Sequence, residues 1–232
     1  MNATLVKICG VRSPDIARHV ESMGADLMGL ILAPSRRRVT IEEATGIVAA
    51  IERRTKVVGV FVNESVDAMN DIVDRLDLDY VQLSGDEPAE VQAQIRRPVI
   101  RALRLPPGTS IDHACRQADA FLTGTSPAHA LLLDTHVDGV YGGTGSAGDW
   151  DLAAGLAERF PVILAGGLSP ENVDRALELV NPLGLDVSSG VETGGQKDPA
   201  KISQFIDSVR GTRRHQAATQ RNSSSRLIRA FG

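Results

Sequence analysis

Two residues of this 232-residue chain stand where a strand is expected to end and carry side chains suited to proton transfer. Cys9 closes the short β-rich run that starts at Leu5, and Asp134 follows the apolar run Ala130-Leu-Leu-Leu133. A thiol and a carboxyl group on different strands can act as base and acid in one reaction. Each also has a structural alternative, because a lone cysteine is more often a buried core residue and Asp134 could cap the following loop.

Other polar side chains occupy comparable strand ends. Lys7 shares a strand face with Cys9 through the period-two alternation of a β-strand. It is a candidate either to stabilise a thiolate or to form a simple ion pair. An apolar core needs no polar groups at these places, whereas a site for a phosphorylated sugar does. The remaining strand ends of this kind are at Asn63, Ser84, Arg101 and Asp186.

Two stretches near the C-terminal end predict a phosphate pocket. Ala165-Gly-Gly-Leu168 and Gly184-Leu-Asp-Val-Ser-Ser-Gly-Val-Glu-Thr193 each run from an apolar strand into small residues, and a helical segment follows. Free backbone N–H groups at such a strand-to-helix junction bind phosphate oxygens. The residues expected to form the pocket are Gly166, Gly167, Ser188, Ser189 and Gly190.

Two further motifs are open to more than one interpretation. The glycines of Gly142-Gly-Thr-Gly145, Gly143 among them, either supply positive φ values in a turn or allow close backbone approach to a substrate. The arginines of Ser35-Arg-Arg-Arg38 are either an ordinary solvated surface or include one that binds a carboxylate.

The elements that must position these residues follow one repeated pattern. A β-rich run, a capping residue and an apolar helical period recur eight times between residues 5 and 209. The helix starts carry cap chemistry, as in Thr40 with Glu43, Ser65 before Val66, and Pro170 at a first helical position. Eight units without a dinucleotide-binding fingerprint favour an α/β fold of one closed (β/α)₈ TIM barrel over an open doubly wound sheet.

Composition narrows the class of partner. A net charge of −4 and 3% aromatic residues give no basic, aromatic-rich surface for nucleic acid, so a small molecule is expected. Two cysteines and five scattered histidines predict neither a disulfide framework nor a metal site. No apolar run approaches a membrane span and no signal-peptide pattern precedes the first strand, so a cytoplasmic protein is expected.

The last segment differs from the rest. Residues 211–232 hold five arginines, no acidic residue and the run Ser223-Ser-Ser225. This composition predicts a barrel domain over 1–210 and a polar C-terminal tail over 211–232 that is disordered. Its Leu227, Ile228 and Phe231 leave open a short docking helix.

Several ordered motifs together resemble the phosphoribosylanthranilate isomerase family of tryptophan biosynthesis. The resemblance covers about residues 5–210 and is specific because so many motifs occur in order on one barrel. The motifs are Lys7-Ile-Cys-Gly10, Val58-Gly-Val-Phe-Val-Asn63, Val81-Gln-Leu-Ser-Gly-Asp-Glu87, Leu132-Leu-Asp-Thr135, Gly142-Gly-Thr-Gly145 with Asp149-Trp150, Ile163-Leu-Ala-Gly-Gly-Leu168, and Asp186-Val-Ser-Ser-Gly-Val-Glu-Thr193 with Lys197-Asp198.

The resemblance implies a role for individual residues. Cys9 would be the general base and Asp134 the general acid, Arg37 would hold the anthranilate carboxylate, and Asp186 would contact the substrate. Two departures concern the anthranilate pocket. The fourth strand ends in Gln82-Leu-Ser84-Gly85 where the family usually has histidine, and Arg36 stands where it usually has proline.

The implied chemistry is an Amadori rearrangement of an N-glycosylated ribose 5-phosphate to an aminodeoxyribulose 5-phosphate. The substrate is then a small phosphorylated aminosugar that carries anthranilate, and no cofactor is expected because no redox change or electron sink is required. A monomer or a homodimer would both be compatible with the sequence.

Two rival functions stay open at this stage. A sister sugar isomerase of histidine biosynthesis, or a barrel with both activities, would share the fold, but that family places an aspartate where this chain has Cys9. A non-catalytic barrel that binds a phosphometabolite would keep the phosphate pocket and have no use for Cys9 together with Asp134.

Overall fold

A computed structural model describes residues 4–106, 108–124, 126–134 and 147–212. Eight parallel strands close into a barrel in sequence order, so that β1 pairs with both β2 and β8. The strands are β1 Leu5–Cys9, β2 Leu27–Ile31, β3 Lys56–Phe61, β4 Tyr80–Leu83, β5 Val99–Leu103, β6 Ala130–Asp134, β7 Val162–Ala165 and β8 Gly184–Val187. The predicted (β/α)₈ TIM barrel is confirmed.

Helices connect successive strands and pack on the outside of the barrel. They are α1 Pro14–Ser22, α2 Ile41–Ala49, α3 Val66–Leu76, α4 Ile111–Leu122, α5 Ala147–Ala157, α6 Val173–Val180 and α7 over 199–212. The fourth connection contains a short 3₁₀ helix, Ala89–Gln94, in place of an α-helix. After β8, a 3₁₀ turn at Ser189–Val191 leads into a hairpin of β9 Glu192–Thr193 and β10 Gln196–Lys197.

The helix caps show where local sequence rules were sufficient. Thr40 and Glu43 form the predicted capping box of α2, and Ser65 accepts a hydrogen bond from the backbone N–H of Ala68 at the start of α3. The prediction for Pro170 was wrong, because α6 begins three residues later, at Val173. Asn172 accepts from the backbone N–H of Ser169 and donates to the carbonyl of Gly167, which holds the chain in a turn before the helix.

Strand alternation divides the apolar residues into two cores. The larger core lies between the barrel and its helices and includes Val6, Ile8, Met28 and Leu185. The smaller core fills the barrel interior and is formed by Leu27, Val58, Ile100, Ala130, Leu132, Ile163 and Ala165. Because the interior is packed, a ligand has access only at the strand ends.

The last helix goes beyond the expected domain boundary. Helix α7 continues to residue 212, and Arg210 donates hydrogen bonds to the carbonyls of Thr4 and Gly24 and to the carboxylate of Asp26. The barrel therefore includes at least two residues that composition had assigned to the tail. Residues 213–232, with the predicted disorder and the docking residues Leu227, Ile228 and Phe231, lie outside the described residues.

No helix among the described ranges is long and apolar enough to cross a membrane. Within those ranges, no group of three or more histidine, cysteine, aspartate or glutamate side chains is placed to hold a metal ion.

Candidate active site

A cavity of about 420 Å³ opens at the C-terminal ends of the strands. Its lining brings together eight of the eleven catalytic and substrate-binding residues predicted from sequence, although they are far apart in the chain. They are Cys9, Arg37, Asp134, Gly166, Gly167, Asp186, Ser188 and Ser189. Of the other three, Lys7 and Gly190 lie behind the lining, and Gly143 lies outside the described residues.

Lys7 and Asp186 form a buried ion pair beneath the cavity. The parallel register of β1 and β8 places them side by side, and Lys7 Nζ lies 3.0 Å from Asp186 Oδ1. The Lys7 side chain is fully buried and that of Asp186 is 8% exposed. Breaking such a pair from one side leaves an uncompensated charge in a poorly solvated place, so the two charges depend on each other.

Cys9 lies directly above this pair because the neighbouring strand has a glycine beside it. The register of β1 and β2 aligns Cys9 with Gly29. A Cβ atom at Gly29 would stand 2.9 Å from Cys9 Sγ and 3.1 Å from Lys7 Nζ. Any larger residue would displace the thiol or the ammonium group, so Gly29 provides the space that lets them lie together.

The charges around the thiol act on its ionisation in opposite directions. Burial raises the pKa of the Cys9 thiol above its ordinary value, and the nearby Lys7 ammonium group partly offsets that rise. Burial also raises the pKa of the Asp186 carboxyl group, against the opposing effect of Lys7. That Lys7 stabilises a Cys9 thiolate stays a prediction from the sequence.

Arg37 reaches the cavity from the loop after β2 and is held by a carboxylate from the β9–β10 hairpin. Its Nε and Nη2 donate to the two oxygens of Glu192 at 2.6 Å and 2.9 Å. Lys197 Nζ donates to the same carboxylate at 2.8 Å. Burial alone would raise the pKa of Glu192, but the hydrogen bonds from Arg37 and Lys197 lower it to about 2.

The two predicted phosphate loops meet at the β7 and β8 side of the cavity. Gly166 and Gly167 both have positive φ values, 90° and 64°, in the turn after β7. A Cβ atom at Gly190 would lie 1.9 Å from the carbonyl oxygen of Leu168, so only glycine lets the two loops approach this closely. Ser188 Oγ donates to the carbonyl of Cys9 and accepts from Lys197, which links the second loop to β1.

We call the cluster of Lys7, Cys9, Arg37, Asp186, Glu192 and Lys197 the β1 flank of the cavity. The β6 flank lies across the mouth and comprises Gln82, Ser84, Arg104 and Asp134. Asp134 ends β6 and its side chain is exposed to the cavity. The β7 and β8 loops stand between the two flanks along the barrel rim.

Gln82 was not singled out from the sequence, although it faces the cavity from β4. It is 4% exposed, and its amide Nε2 donates to Ser84 Oγ at 2.9 Å. Its Oε1 is buried and has no hydrogen-bond partner among the described residues. A buried amide oxygen facing a cavity is suited to accept a hydrogen bond from a ligand. Period-two alternation with Ser84 was the sequence signal that could have identified it.

Two of the polar strand ends singled out from the sequence do not face the cavity. Arg101 lies on the outer face of β5, where it pairs with Glu87 at 2.6 Å and stacks on Phe121 at 4.5 Å. Asn63 has a left-handed φ of 51°, and its side chain accepts from the backbone N–H of Asp86. Both residues fix the loop after β4, so their polarity serves the structure.

Sequence comparison assigns almost the whole barrel to one family. The family model of N-(5'-phosphoribosyl)anthranilate (PRA) isomerase matches residues 6–208. An N-(5'-phosphoribosyl)anthranilate isomerase of Roseiflexus sp. (strain RS-1) is 44% identical over 213 residues, which is 88% of this chain and 97% of that protein. The corresponding enzyme of Pseudomonas aeruginosa (strain UCBPP-PA14) is 44% identical over 217 residues, 92% of this chain and 99% of that protein.

Solved structures agree with this assignment. Phosphoribosyl anthranilate isomerase from Thermotoga maritima superposes with a TM-score of 0.78 and 36% identity, over 90% of this chain and 99% of that one. A phosphoribosyl anthranilate isomerase in complex with reduced 1-(o-carboxyphenylamino)-1-deoxyribulose 5-phosphate gives a TM-score of 0.75 and 34% identity over the same shares. The chain belongs to the N-(5'-phosphoribosyl)anthranilate isomerase family.

Proposed function

We propose that this chain converts N-(5'-phosphoribosyl)anthranilate to 1-(2-carboxyphenylamino)-1-deoxyribulose 5-phosphate in tryptophan biosynthesis, with Cys9 as general base and Asp134 as general acid. The observation that carries the residue assignment is their placement in one cavity on opposite sides of the phosphate loops. A phosphate held by those loops leaves the sugar between β6 and β1. The thiol and the carboxyl group then address the sugar from two sides.

The strand order also supports a position for the anthranilate ring. With phosphate at β7 and β8, the other end of the substrate extends towards the cavity wall after β2 and β4, which Arg37 and Ser84 line. Arg37 binds the carboxylate of the ring, for which a planar guanidinium group is well suited. Ser84 in place of the usual histidine leaves more space beside the ring.

The proposed chemistry begins with two proton transfers by the protein, one to the sugar and one from it, and ends with a tautomerisation. Asp134 donates a proton to the furanose ring oxygen, the bond from that oxygen to C1′ breaks, and a protonated imine results. The Cys9 thiolate then removes the proton from C2′ to give an enolamine. Protonation at C1′ with loss of the proton from the C2′ hydroxyl gives the aminoketone. Hydrogen moves within one molecule, so the step needs no electron acceptor.

Lys7 and Asp186 support the base in this proposal. Lys7 lowers the cost of the Cys9 thiolate, while Asp186 fixes the ammonium group and presents a carboxylate edge to the substrate. The oligomeric state, either a monomer or a homodimer, stays a prediction from the sequence.

The test of the function is turnover by the purified full chain. Phosphoribosylanthranilate generated in the cuvette should be consumed, with loss of its anthranilate fluorescence, only when the protein is present. The aminoaldose substrate of the histidine-pathway isomerase serves as the second arm. Turnover of the first substrate alone supports the proposal, equal turnover of both supports the dual alternative, and turnover of neither supports a binding protein.

A further inference from the structure

Arg37 presents two different edges of its guanidinium group. The edge formed by Nε and Nη2 is occupied by both oxygens of Glu192. On the other edge, formed by Nη1 and Nη2, the Nη1 atom has no hydrogen-bond partner within the described part of the chain. A guanidinium group has five N–H donors in a fixed plane, so it can bind one carboxylate along each of these edges.

The electrostatics around Glu192 also favour a second carboxylate. Three cationic side chains surround this one carboxylate, since Arg37, Lys197 and Arg36 lie 2.6 Å, 2.8 Å and 3.9 Å from its oxygens. The cluster thus keeps an excess of positive charge even though Glu192 is ionised. The Glu192 side chain is 6% exposed and accepts three hydrogen bonds, so its position is well defined.

We propose that Glu192 is a positioning residue that fixes the guanidinium plane of Arg37, so that its second edge receives the carboxylate of the substrate's anthranilate ring. This inference rests on the proposed function and deepens it. Without Glu192, Arg37 would have to be ordered by the substrate itself, which would reduce the affinity for the carboxylate end. The phosphate end should be largely unaffected, because Glu192 connects to the phosphate loop only through Lys197, and Lys197 keeps its own bonds to Ser188.

Lys197 gives the matched contrast. Its Nζ donates to the carbonyl and Oγ of Ser188 as well as to Glu192, and its side chain is 3% exposed. It therefore supports the phosphate loop and the Arg37–Glu192 pair together. Removing Lys197 should weaken binding at both ends of the substrate, whereas removing the charge of Glu192 should weaken binding at one end.

The experiment compares two ligands that differ only in one carboxylate. The first is reduced 1-(o-carboxyphenylamino)-1-deoxyribulose 5-phosphate, and the second is the same compound with an unsubstituted phenyl ring. Calorimetry with the full chain should show that Glu192→Gln lowers the affinity for the carboxylated ligand about tenfold and leaves the affinity for the second ligand unchanged. Lys197→Met should weaken both. Glu178→Gln, on the exposed face of α6, is the control for loss of a carboxylate and should change neither.

Two results would overturn the inference. An equal loss for both ligands in Glu192→Gln would mean that Glu192 only maintains the fold of the loop. A gain in affinity for the carboxylated ligand would mean that Glu192 competes with the substrate for Arg37. If Glu192→Gln does not fold, Glu192→Asp keeps the charge but shortens the side chain by one methylene, and the same selective loss is expected of it. Turnover of the wild type tests the proposed function separately, so the two failures are distinguishable.

Discussion

The two flanks of the cavity differ in how deeply their charged groups are buried. On the β1 flank, Lys7 is paired with Asp186, and Glu192 is bonded to both Arg37 and Lys197. On the β6 flank, the charged side chains of Asp134 and Arg104 are exposed. Buried ion pairs hold the β1 flank in place before substrate arrives, whereas the β6 flank presents exposed charged groups to the cavity. The difference is consistent with a base that needs charge stabilisation and an acid that must reach a leaving oxygen.

The largest expected effect comes from removing the reacting groups on each flank. Cys9→Ser and Asp134→Asn should each lower kcat by about 10²- to 10⁴-fold with little change in substrate affinity, because a positioned acid or base acts in the transition state. Single-turnover kinetics on the purified variants measure this. If the barrel is non-catalytic, no such loss is expected. If Cys9→Ser keeps the wild-type kcat, the base must be another residue at a strand end, with Asp186 the first candidate.

The second-largest expected effect is a difference in thermal stability between variants of the two flanks. Lys7→Met leaves the buried Asp186 carboxylate without its partner and should cost about 3–5 kcal/mol, or about 10 °C in Tm for a chain of this size. Asp134→Asn changes an exposed side chain of similar size and should lower Tm much less than Lys7→Met does. The double variant Lys7→Met with Asp186→Leu should recover much of the loss, because an apolar pair replaces the unpaired charge. Equal Tm values for Lys7→Met and wild type would show that the pair is not needed for folding.

Between the flanks, the phosphate loops can be tested by adding a negative charge. Gly167→Glu should raise KM about tenfold or more, because a carboxylate then stands where the phosphate binds. The φ of Gly167 is 64°, so any side chain there adds backbone strain, although no atom lies within 4 Å of its Cβ position. Gly167→Ala therefore measures the strain alone. If both variants shift KM equally, the phosphate lies elsewhere.

The smallest effect concerns the C-terminal end, away from both flanks. Composition alone predicts that truncation after Val209 is harmless, but this truncation removes Arg210 and its bonds to Thr4, Gly24 and Asp26. With those bonds lost, we expect it to lower Tm by about 5 °C without changing turnover. Truncation after Thr212 keeps the bonds and should leave both Tm and turnover unchanged. A fall in Tm on truncation after Thr212 would place a stabilising contact in the residues that follow.

The periodicity of the sequence was sufficient to predict the barrel. Because the strand ends of a barrel meet at one rim, its geometry was sufficient to predict that Cys9, Asp134 and Asp186 line one cavity. Alternation alone did not reveal that Arg101 faces outward, since that depends on which face of β5 packs against Phe121. The Arg37–Glu192 pair joins residues 155 positions apart through a two-residue hairpin strand, and no local pattern indicates such a contact. The space that Gly29 leaves for the Cys9 thiol and the Lys7 ammonium group likewise depends on strand register, which no local pattern indicates.

The division of roles between the flanks is tested most directly by the pH dependence of kcat/KM in Asp134→Asn. The Cys9 thiol must ionise to act as the base, so kcat/KM should rise with pH over the range in which the thiol loses its proton. Burial raises the pKa of the thiol, so the rate of a variant that depends on Cys9 alone should keep rising with pH up to that raised value. The account predicts that Asp134→Asn lowers the rate but keeps this rise with pH, because Cys9 is still the base. An Asp134→Asn profile that only falls with increasing pH would contradict the account, because Cys9 would then be the acid.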